Sequence, residues 1–214
     1  MNKNKKVTFV RIPKNASTSL YNFFGASNTI REHSLKIRPE HEEIYSTSHC
    51  KLETAIEELG QEITSLPSLA VIRNPYDRAV SMFSFAKKIN EYDFINFKKI
   101  YGCDFKDDFL EFYEYFLQIS KEKDFMHSWT QKSYIQSNNK IGIKYLLTFE
   151  NLSEDLETFL TETDLKEYYE KYNRKLKKEN STSHKHYKEI YCPRSREIVE
   201  EIWGEDIDYF KYSF

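Results

Sequence analysis

The sequence predicts a three-layer α/β fold in which a central, mainly parallel sheet is flanked by helices. Three short apolar segments are typical of buried strands, namely residues 6–11 (KVTFVR), 69–73 (LAVIR) and 143–149 (IKYLLTF). Each is followed by a segment with helical spacing or a helix-start signal, and this alternation favours a parallel sheet covered on both faces. Ligands of such sheets bind beyond the carboxyl ends of the strands, so the loops that follow the first two segments are the candidate binding loops.

The remaining elements are predicted from caps and apolar spacing. Residues 43–49 (EIYSTSH) predict a weak strand or a loop. A helix over residues 74–88 begins with Asn74 as its cap, Pro75 in its first turn and Asp77 near its positive end. The other predicted helices cover residues 17–25, 52–59, 107–120 and 152–160, and a last one opens at Pro193.

Two helical faces are predicted to be core. One carries aromatic residues at helical spacing, and the other is the apolar face of the last helix. The residues are Phe109, Phe112, Tyr113 and Phe116 on the first face, and Ile198, Val199, Ile202 and Trp203 on the second.

Composition excludes several function classes. The 214 residues carry a net charge of −2, so a broad electrostatic grip on nucleic acid is not indicated. Cys50, Cys103 and Cys192 form no CxxC pair, which disfavours a disulfide framework or a zinc site. No segment is apolar enough for a signal peptide or a membrane span, and no linker divides the chain. The sequence therefore predicts one cytoplasmic domain covering residues 1–214.

The loop after the first strand, PKNASTS, has the donors of an anion site. A loop that enters a helix presents unpaired backbone N–H groups at the positive end of the helix dipole. Lys14 adds a charge, Ser17, Thr18 and Ser19 add hydroxyls, and the small Ala16 permits close approach. The alternative is a capped helix start, with Ser17 as N-cap and Lys14 solvated. The Walker pattern GxxxxGK[ST] is absent, which disfavours an ordinary ATP or GTP loop.

The loop after the second strand, RNPYDRAVS, contains a second set of donors. Arg73 is a forked donor at a strand end, and Ser81 lies two turns into the next helix, so the two could hold a second phosphate. Arg78 and Ser81 can share a helix face because they are three positions apart. The alternative is a capped helix with surface arginines.

Together the two loops resemble those of the sulfotransferases, enzymes that use 3′-phosphoadenosine 5′-phosphosulfate (PAPS). PKNASTSL is most similar to the carbohydrate O-sulfotransferase branch, which includes heparan and uronyl 2-O-sulfotransferases and chondroitin enzymes, although Asn15 stands where that branch usually has Thr. Weaker similarities are HSWTQ at residues 127–131, YLLTFENLSEDLETFL at 145–160 and the end of the chain at 198–214. The resemblance implies a P-loop-like fold, PAPS as donor, 3′,5′-ADP as product and no metal.

The resemblance also implies roles for individual residues. Residues 14–19, namely Lys14, Asn15, Ala16, Ser17, Thr18 and Ser19, would bind the 5′-phosphosulfate. Arg73 and Ser81 would bind the 3′-phosphate, and Lys185 would close on the nucleotide, unless it is a mobile surface lysine. Lys14 would neutralise the leaving phosphate, since sulfuryl transfer, by analogy with phosphoryl transfer, depends mainly on positioning and on charge stabilisation.

A hydroxyl acceptor needs a base, and His49 is the first candidate, because the 2-O-sulfotransferase branch that the sequence resembles has a histidine base in the corresponding interval. The alternative is an ordinary loop histidine. The fallbacks are Glu42, Glu43 and Glu53, and then His33 and His41. The residues expected to contact the acceptor are His127, Trp129 and Gln131, with a packed aromatic and a hydrogen-bonded histidine as the alternative.

Two other functions remain open at this point. A P-loop kinase for a nucleoside or small molecule has the same topology, but it needs Gly-Lys-Ser/Thr and a magnesium-binding Asp, and neither is in order here. A non-catalytic module could keep the fold and the nucleotide site. The acceptor is expected to be a carbohydrate hydroxyl, and the short chain suggests a microbial or viral source. Four lysines could line an acceptor cleft: Lys87, Lys88, Lys98 and Lys99.

Overall fold

The computed structural model describes residues 7–24, 44–47, 49–92, 104–171, 176 and 186–214. The chain divides into two compact units. The sheet unit comprises Met1–Arg73 and Gln131–Asn180, and the helical unit comprises Asn74–Thr130 and Ser181–Phe214. That the chain is one functional domain stays a prediction.

Strands and helices alternate from the first strand to the helix after the third, and the later described elements come in consecutive helices or strands. In order, the described elements are β1 Val7–Val10, α1 Ser17–Phe23, β2 Ile44–Ser46, α2 Leu52–Leu59, β3 Ser68–Ile72, α3 Pro75–Tyr92, α4 Phe109–Glu122, α5 Gln131–Ile135, β4 Gln136–Ser137, β5 Lys140–Ile141, β6 Tyr145–Thr148, α6 Leu152–Glu162, α7 Lys166–Lys171 and α8 Pro193–Phe210. Short 3₁₀ turns cover Gln61–Thr64, Met126–Ser128 and Tyr187–Glu189.

The central sheet has the strand order β2-β1-β3-β6, and every neighbouring pair in it is parallel. Phe9 of β1 is in register with Leu69 of β3. All residues of β1 and β3 are buried, as expected of central strands in a parallel sheet. Because β1 and β3 are parallel neighbours, their carboxyl ends lie at the same edge of the sheet.

Helices of the sheet unit cover the sheet with an aromatic core. Phe9 of β1 and Phe159 of α6 both pack against Phe24, and the ring of Tyr169 lies 5.4 Å from that of Phe24. On the other face of β1, the hydroxyl of Thr8 donates to the carbonyl of Ile63 at 2.6 Å. The predicted α/β fold with a parallel central sheet and flanking helices is confirmed.

The helical unit has its own core, and it contains the aromatic residues predicted to be buried. The rings of Tyr113 and Phe116 pack against Trp203, which is fully buried. The α4 helix begins one residue after Asp108, whose side chain accepts from the backbone N–H of Glu111. The predicted apolar faces of α4 and α8 are therefore confirmed.

One local prediction is corrected, and three short elements are not predicted from the sequence. Ser17 is not the N-cap of α1: Ala16 occupies that position, in a left-handed conformation and without a side-chain cap. The β4–β5 hairpin is not predicted, although φ of 52° at Asn138 and 59° at Asn139 is typical of a tight hairpin turn. The short helices α5 and α7 are also not predicted. Gly25, the expected end of α1, lies outside the described residues.

Candidate functional site

The loop between β1 and α1 holds two non-glycine residues in the left-handed region. Lys14 has a φ of 70°, and Ala16 has a φ of 53°. A side chain at such a position costs about 1–2 kcal/mol. Left-handed residues in a turn orient neighbouring backbone N–H groups towards one point, the arrangement that forms anion-binding concavities. The loop therefore adopts, without glycine, a conformation for which glycine is the usual residue.

Hydroxyl donors follow this loop at the start of α1. Ser17 and Ser19 are buried, and Thr18 is half-buried. The first turn of α1 contains no acidic residue. Lysine, hydroxyls and backbone N–H groups form a donor set that suits a phosphate or sulfate.

Arg73, at the end of β3, lies against the loop. Its Nη1 donates to the carbonyl oxygen of Lys14 at 2.9 Å, and its guanidinium carbon lies 3.9 Å from the centre of the Phe149 ring. The guanidinium is thus held by a hydrogen bond and by an aromatic face. The structure brings together the predicted residues Lys14 and Arg73, although 59 positions separate them.

Two buried amides connect the same loop to β3. The Nδ2 of Asn15 donates to the carbonyl of Val71 at 2.8 Å and to the Oε1 of Gln131 at 2.5 Å. Gln131 in turn accepts from the backbone N–H of Arg73 and donates to its carbonyl, both at 2.9 Å. Gln131 is fully buried in this network. The sequence does not predict these bonds, since the partners of Gln131 are 58 and 116 positions away. The acceptor contact assigned to Gln131 stays a prediction.

His49 follows β2 in a turn and has a φ of 72°. Its Nδ1 lies 2.9 Å from the carbonyl oxygen of Arg11, which follows β1. A carbonyl only accepts, so Nδ1 carries the proton in this bond and the lone pair of a neutral ring resides on Nε2. That tautomer suits a general base acting through Nε2.

Arg11 itself makes contacts through both its side chain and its backbone. Its guanidinium lies 4.3 Å from the centre of the Tyr21 ring, and its backbone N–H donates to the hydroxyl of Thr47 at 3.0 Å. Burial lowers the pKa of Arg11, and the Tyr21 side chain partly opposes this shift. The carbonyl that orients His49 therefore belongs to a well-anchored residue.

Other predicted residues belong to the helical unit. Ser81 lies buried in α3, and His127 is buried with its ring 5.1 Å from that of Phe125. Trp129 is half-buried, and its indole N–H donates to Asp124. The acceptor contacts assigned to His127 and Trp129, and the phosphate contact of Ser81, stay predictions.

Arg78, from the same motif as Ser81, is no surface residue. It is fully buried, its Nη1 donates to the carbonyl of Trp129 at 3.2 Å, and it lies 3.9 Å from the carboxylate of Asp206. The guanidinium also faces the ring of Trp203 at 4.8 Å. The alternative, that the arginines of this motif lie on the surface, is therefore wrong for Arg78, which lies in the protein interior.

Several candidates lie outside the described residues, and Glu53 is the one carboxylate fallback that is described. It is exposed in the first turn of α2. Among the residues with described positions, no group of three His, Cys, Asp or Glu side chains could hold a metal ion. The same residues include no helix that is both long and apolar enough to cross a bilayer. The candidates that are not described are His33, His41, Glu42, Glu43, Lys98, Lys99, Cys103 and Lys185.

Comparisons with known proteins agree with this arrangement. The sequence profile described as "Sulfotransferase family" matches residues 1–213. The crystal structure of a mouse sulfotransferase, SULT7A1, complexed with PAP is similar in fold, with a TM-score of 0.51 and 14% sequence identity, over 97% of this chain and 85% of that one. No curated protein matches the chain in sequence. Since the family profile covers nearly its whole length, the chain belongs to the sulfotransferase family.

Proposed function

We propose that this sulfotransferase moves a sulfuryl group from PAPS to a hydroxyl of a carbohydrate acceptor. The observation that carries the proposal is the hydrogen bond from Arg73 to the carbonyl of Lys14, which brings the first residue of the second motif against the loop of the first. The complex of the mouse enzyme with PAP supports the same nucleotide class for a protein of this fold.

The residues present fit such a nucleotide. The left-handed Lys14 and Ala16 turn the loop towards an anion, and Ser17, Thr18 and Ser19 supply hydroxyls for the 5′-phosphosulfate. Arg73 supplies a forked cation for the 3′-phosphate. Ser81 is assigned to the same phosphate by its motif alone. Asn15 is included because it is part of the phosphosulfate loop. Lys185 stays assigned to a loop that closes on the nucleotide, because of its position in the sequence.

The transfer breaks the bond between sulfur and the bridging oxygen of the 5′-phosphate and forms one between sulfur and the acceptor oxygen. The electron pair of the broken bond stays on the leaving phosphate, where Lys14 would stabilise the charge. The Nε2 of His49 would take the proton of the carbohydrate hydroxyl, while the Nδ1–H stays hydrogen-bonded to the Arg11 carbonyl. No metal enters this scheme.

A carbohydrate acceptor is proposed from the likeness of PKNASTSL to the carbohydrate O-sulfotransferase branch. Such an acceptor presents several hydroxyls of similar reactivity, so the enzyme has to select one by position. His127 and Trp129 are the acceptor-contact candidates in this proposal, since an aromatic face suits the apolar side of a sugar ring.

Calorimetric titration tests the nucleotide assignment. We expect the wild-type protein to bind 3′,5′-ADP without magnesium and in preference to Mg-ATP. Lys14→Ala should lower the sulfuryl-transfer rate by about 10²–10³-fold, the range found on removing one oxyanion-stabilising group. The matched control is Lys140→Ala, which removes an exposed lysine from the β4–β5 hairpin.

The acceptor is tested by incubating the enzyme with PAPS and pools of glycans, lipids and small metabolites, and by reading the mass shift of the sulfated product. A preference for Mg-ATP over 3′,5′-ADP would refute the nucleotide assignment. Sulfation confined to non-carbohydrate pools would refute the acceptor class and leave the nucleotide assignment standing.

A further inference from the structure

We propose that Asn15 and Gln131 form a buried amide clamp that fixes the spacing between the Lys14 loop and Arg73. The proposal rests on the proposed function, in which these two groups bind the two phosphates of one nucleotide. In this view Asn15 and Gln131 are positioning residues, because their bonds go to the protein rather than to the nucleotide.

The orientation of both amides is set by the backbone. The N–H of Arg73 needs an acceptor and its carbonyl needs a donor, so Gln131 presents Oε1 to the first and Nε2 to the second. Asn15 then has to present Nδ2 to Gln131, because Oε1 can only accept. The same Nδ2 also donates to the Val71 carbonyl. A flip of either amide would place oxygen against oxygen, and the network therefore has a single hydrogen-bonded arrangement.

The clamp acts on both ends of the proposed nucleotide site. Asn15 lies between the two left-handed residues Lys14 and Ala16, and its side chain ties this strained turn to β3. Gln131 holds both backbone polar groups of Arg73, while the Arg73 side chain returns to the Lys14 carbonyl. The result is a closed circuit of hydrogen bonds from the loop through Gln131 to Arg73 and back to the loop.

The side chain of Asn15 contributes two donor bonds to the clamp, and its oxygen contributes none. Its Oδ1 is buried and has no hydrogen-bond partner among the described residues. A buried acceptor without a partner destabilises the fold. A shorter threonine, the usual residue here in the branch that the sequence resembles, has one hydroxyl proton and could not donate to both Val71 and Gln131.

The test compares three ligands on the full chain by calorimetry: 3′,5′-ADP, 5′-AMP and 3′-AMP. A ligand with two phosphates gains from the second contact only when the two sites have the right spacing. We expect Gln131→Glu and Asn15→Ala to weaken 3′,5′-ADP by about tenfold or more, and each monophosphate by less than about threefold. Gln136→Glu, five positions along the chain and outside the network, is the control and should leave all three affinities unchanged.

Gln131→Glu has a second readout that separates positioning from general damage. Its carboxylate would face the Arg73 carbonyl, whereas the protonated carboxyl could donate to it as Nε2 does. We therefore expect its loss of 3′,5′-ADP affinity, relative to wild type at each pH, to be smaller at pH 5.5 than at pH 8. Asn15→Ala adds no charge and should show no such recovery, and it remains informative if Gln131→Glu does not fold.

The outcomes separate the two proposals. Wild-type binding of 3′,5′-ADP with an equal loss for all three nucleotides in both variants would make the amides merely structural and overturn the clamp alone. Unchanged affinities in both variants would also overturn it. A wild-type protein that does not bind 3′,5′-ADP would overturn the proposed function and the clamp together.

Discussion

Arg73 donates through Nη1 to the carbonyl oxygen of Lys14 at 2.9 Å, while its guanidinium lies against the ring of Phe149. Arg73 and the Lys14 loop, which are far apart in sequence, thus meet at the carboxyl edge of β1 and β3. A planar, forked cation can make the carbonyl bond, cover the aromatic face and still present N–H groups to a phosphate. This combination makes Arg73 the residue on which the proposed nucleotide site is most sharply tested.

Arg73→Lys should weaken 3′,5′-ADP binding by about 10–100-fold, since a lysine ammonium can neither stack flat on Phe149 nor donate as a fork. Calorimetry at constant salt measures the change. The control is Arg194→Lys, which alters an exposed arginine paired with Glu197 and should leave affinity unaltered. Equal affinities for wild type and Arg73→Lys would argue against a phosphate role for Arg73.

The parts of the fold that could be predicted are those with local physical causes. The β1 and β3 strands are buried on both faces, so they read as continuous apolar runs. The α3 helix was predictable from its start because Asn74 accepts from the N–H of Tyr76, as a cap does. The Asn138-Asn139 pair is also typical of a two-residue hairpin turn, but the strands on either side are too short to show an alternating pattern.

The site was predictable only in part, for a different reason. Lys14 and Arg73 each belong to a short motif, and all residues of such a motif lie close together in the sequence. The partnership of Asn15 and Gln131 depends on a contact across 116 positions, and no local pattern reports it. The left-handed conformation of Ala16 could not be predicted either, since an alanine in the sequence gives no sign of such a backbone conformation.

Ala16→Gly should leave stability unchanged or raise it by up to about 1 kcal/mol. Glycine removes the cost of a left-handed alanine, but it also increases the entropy of the unfolded chain. The contrasting variant is Ala55→Gly in the buried face of α2, which should destabilise by about 1 kcal/mol or more. Urea denaturation measures both. A loss at Ala16 as large as that at Ala55 would show that the left-handed backbone carries no strain.

His49→Asn should lower the sulfuryl-transfer rate by about 10²–10⁴-fold while 3′,5′-ADP affinity stays the same. Asparagine tolerates the positive φ of 72° and can donate to the Arg11 carbonyl, so the turn should be preserved while the base is lost. Transfer from PAPS to the acceptor identified by mass shift is the assay. His186→Asn, at an exposed position, is the control. Full turnover in His49→Asn would contradict its role as base and leave the fallback glutamates and histidines as candidates.

The thiols Cys50 and Cys192 should differ in their reaction with iodoacetamide. Burial raises the pKa of Cys50 to about 11, and nearby Glu58 adds to the shift, whereas hydrogen bonds with the side chain and the backbone N–H of Ser195 lower the pKa of Cys192. Only the thiolate reacts, so at pH 7.5 Cys192 should be alkylated first and Cys50 should stay protected until the pH nears 11 or the protein unfolds. Ser195→Ala should slow alkylation of Cys192. Peptide mapping by mass spectrometry gives each rate, and faster labelling of Cys50 would contradict the prediction.

The buried pair of Arg78 and Asp206 should be highly sensitive to substitution of its carboxylate. Both side chains are fully buried, and the carboxylate lies 3.9 Å from Nη1 of the arginine. Asp206→Ala leaves the Arg78 guanidinium buried without the charge of this carboxylate, so it should lower the free energy of unfolding by about 3–5 kcal/mol.

The control is Asp208→Ala, an exposed position two residues along α8, which should change the free energy of unfolding by less than about 0.5 kcal/mol. Urea denaturation followed by tryptophan fluorescence reports on this unit, because Trp203 packs against the Arg78 guanidinium. A loss below about 1 kcal/mol in Asp206→Ala would mean that Arg78 is held by the Trp129 carbonyl and the Trp203 ring rather than by the carboxylate.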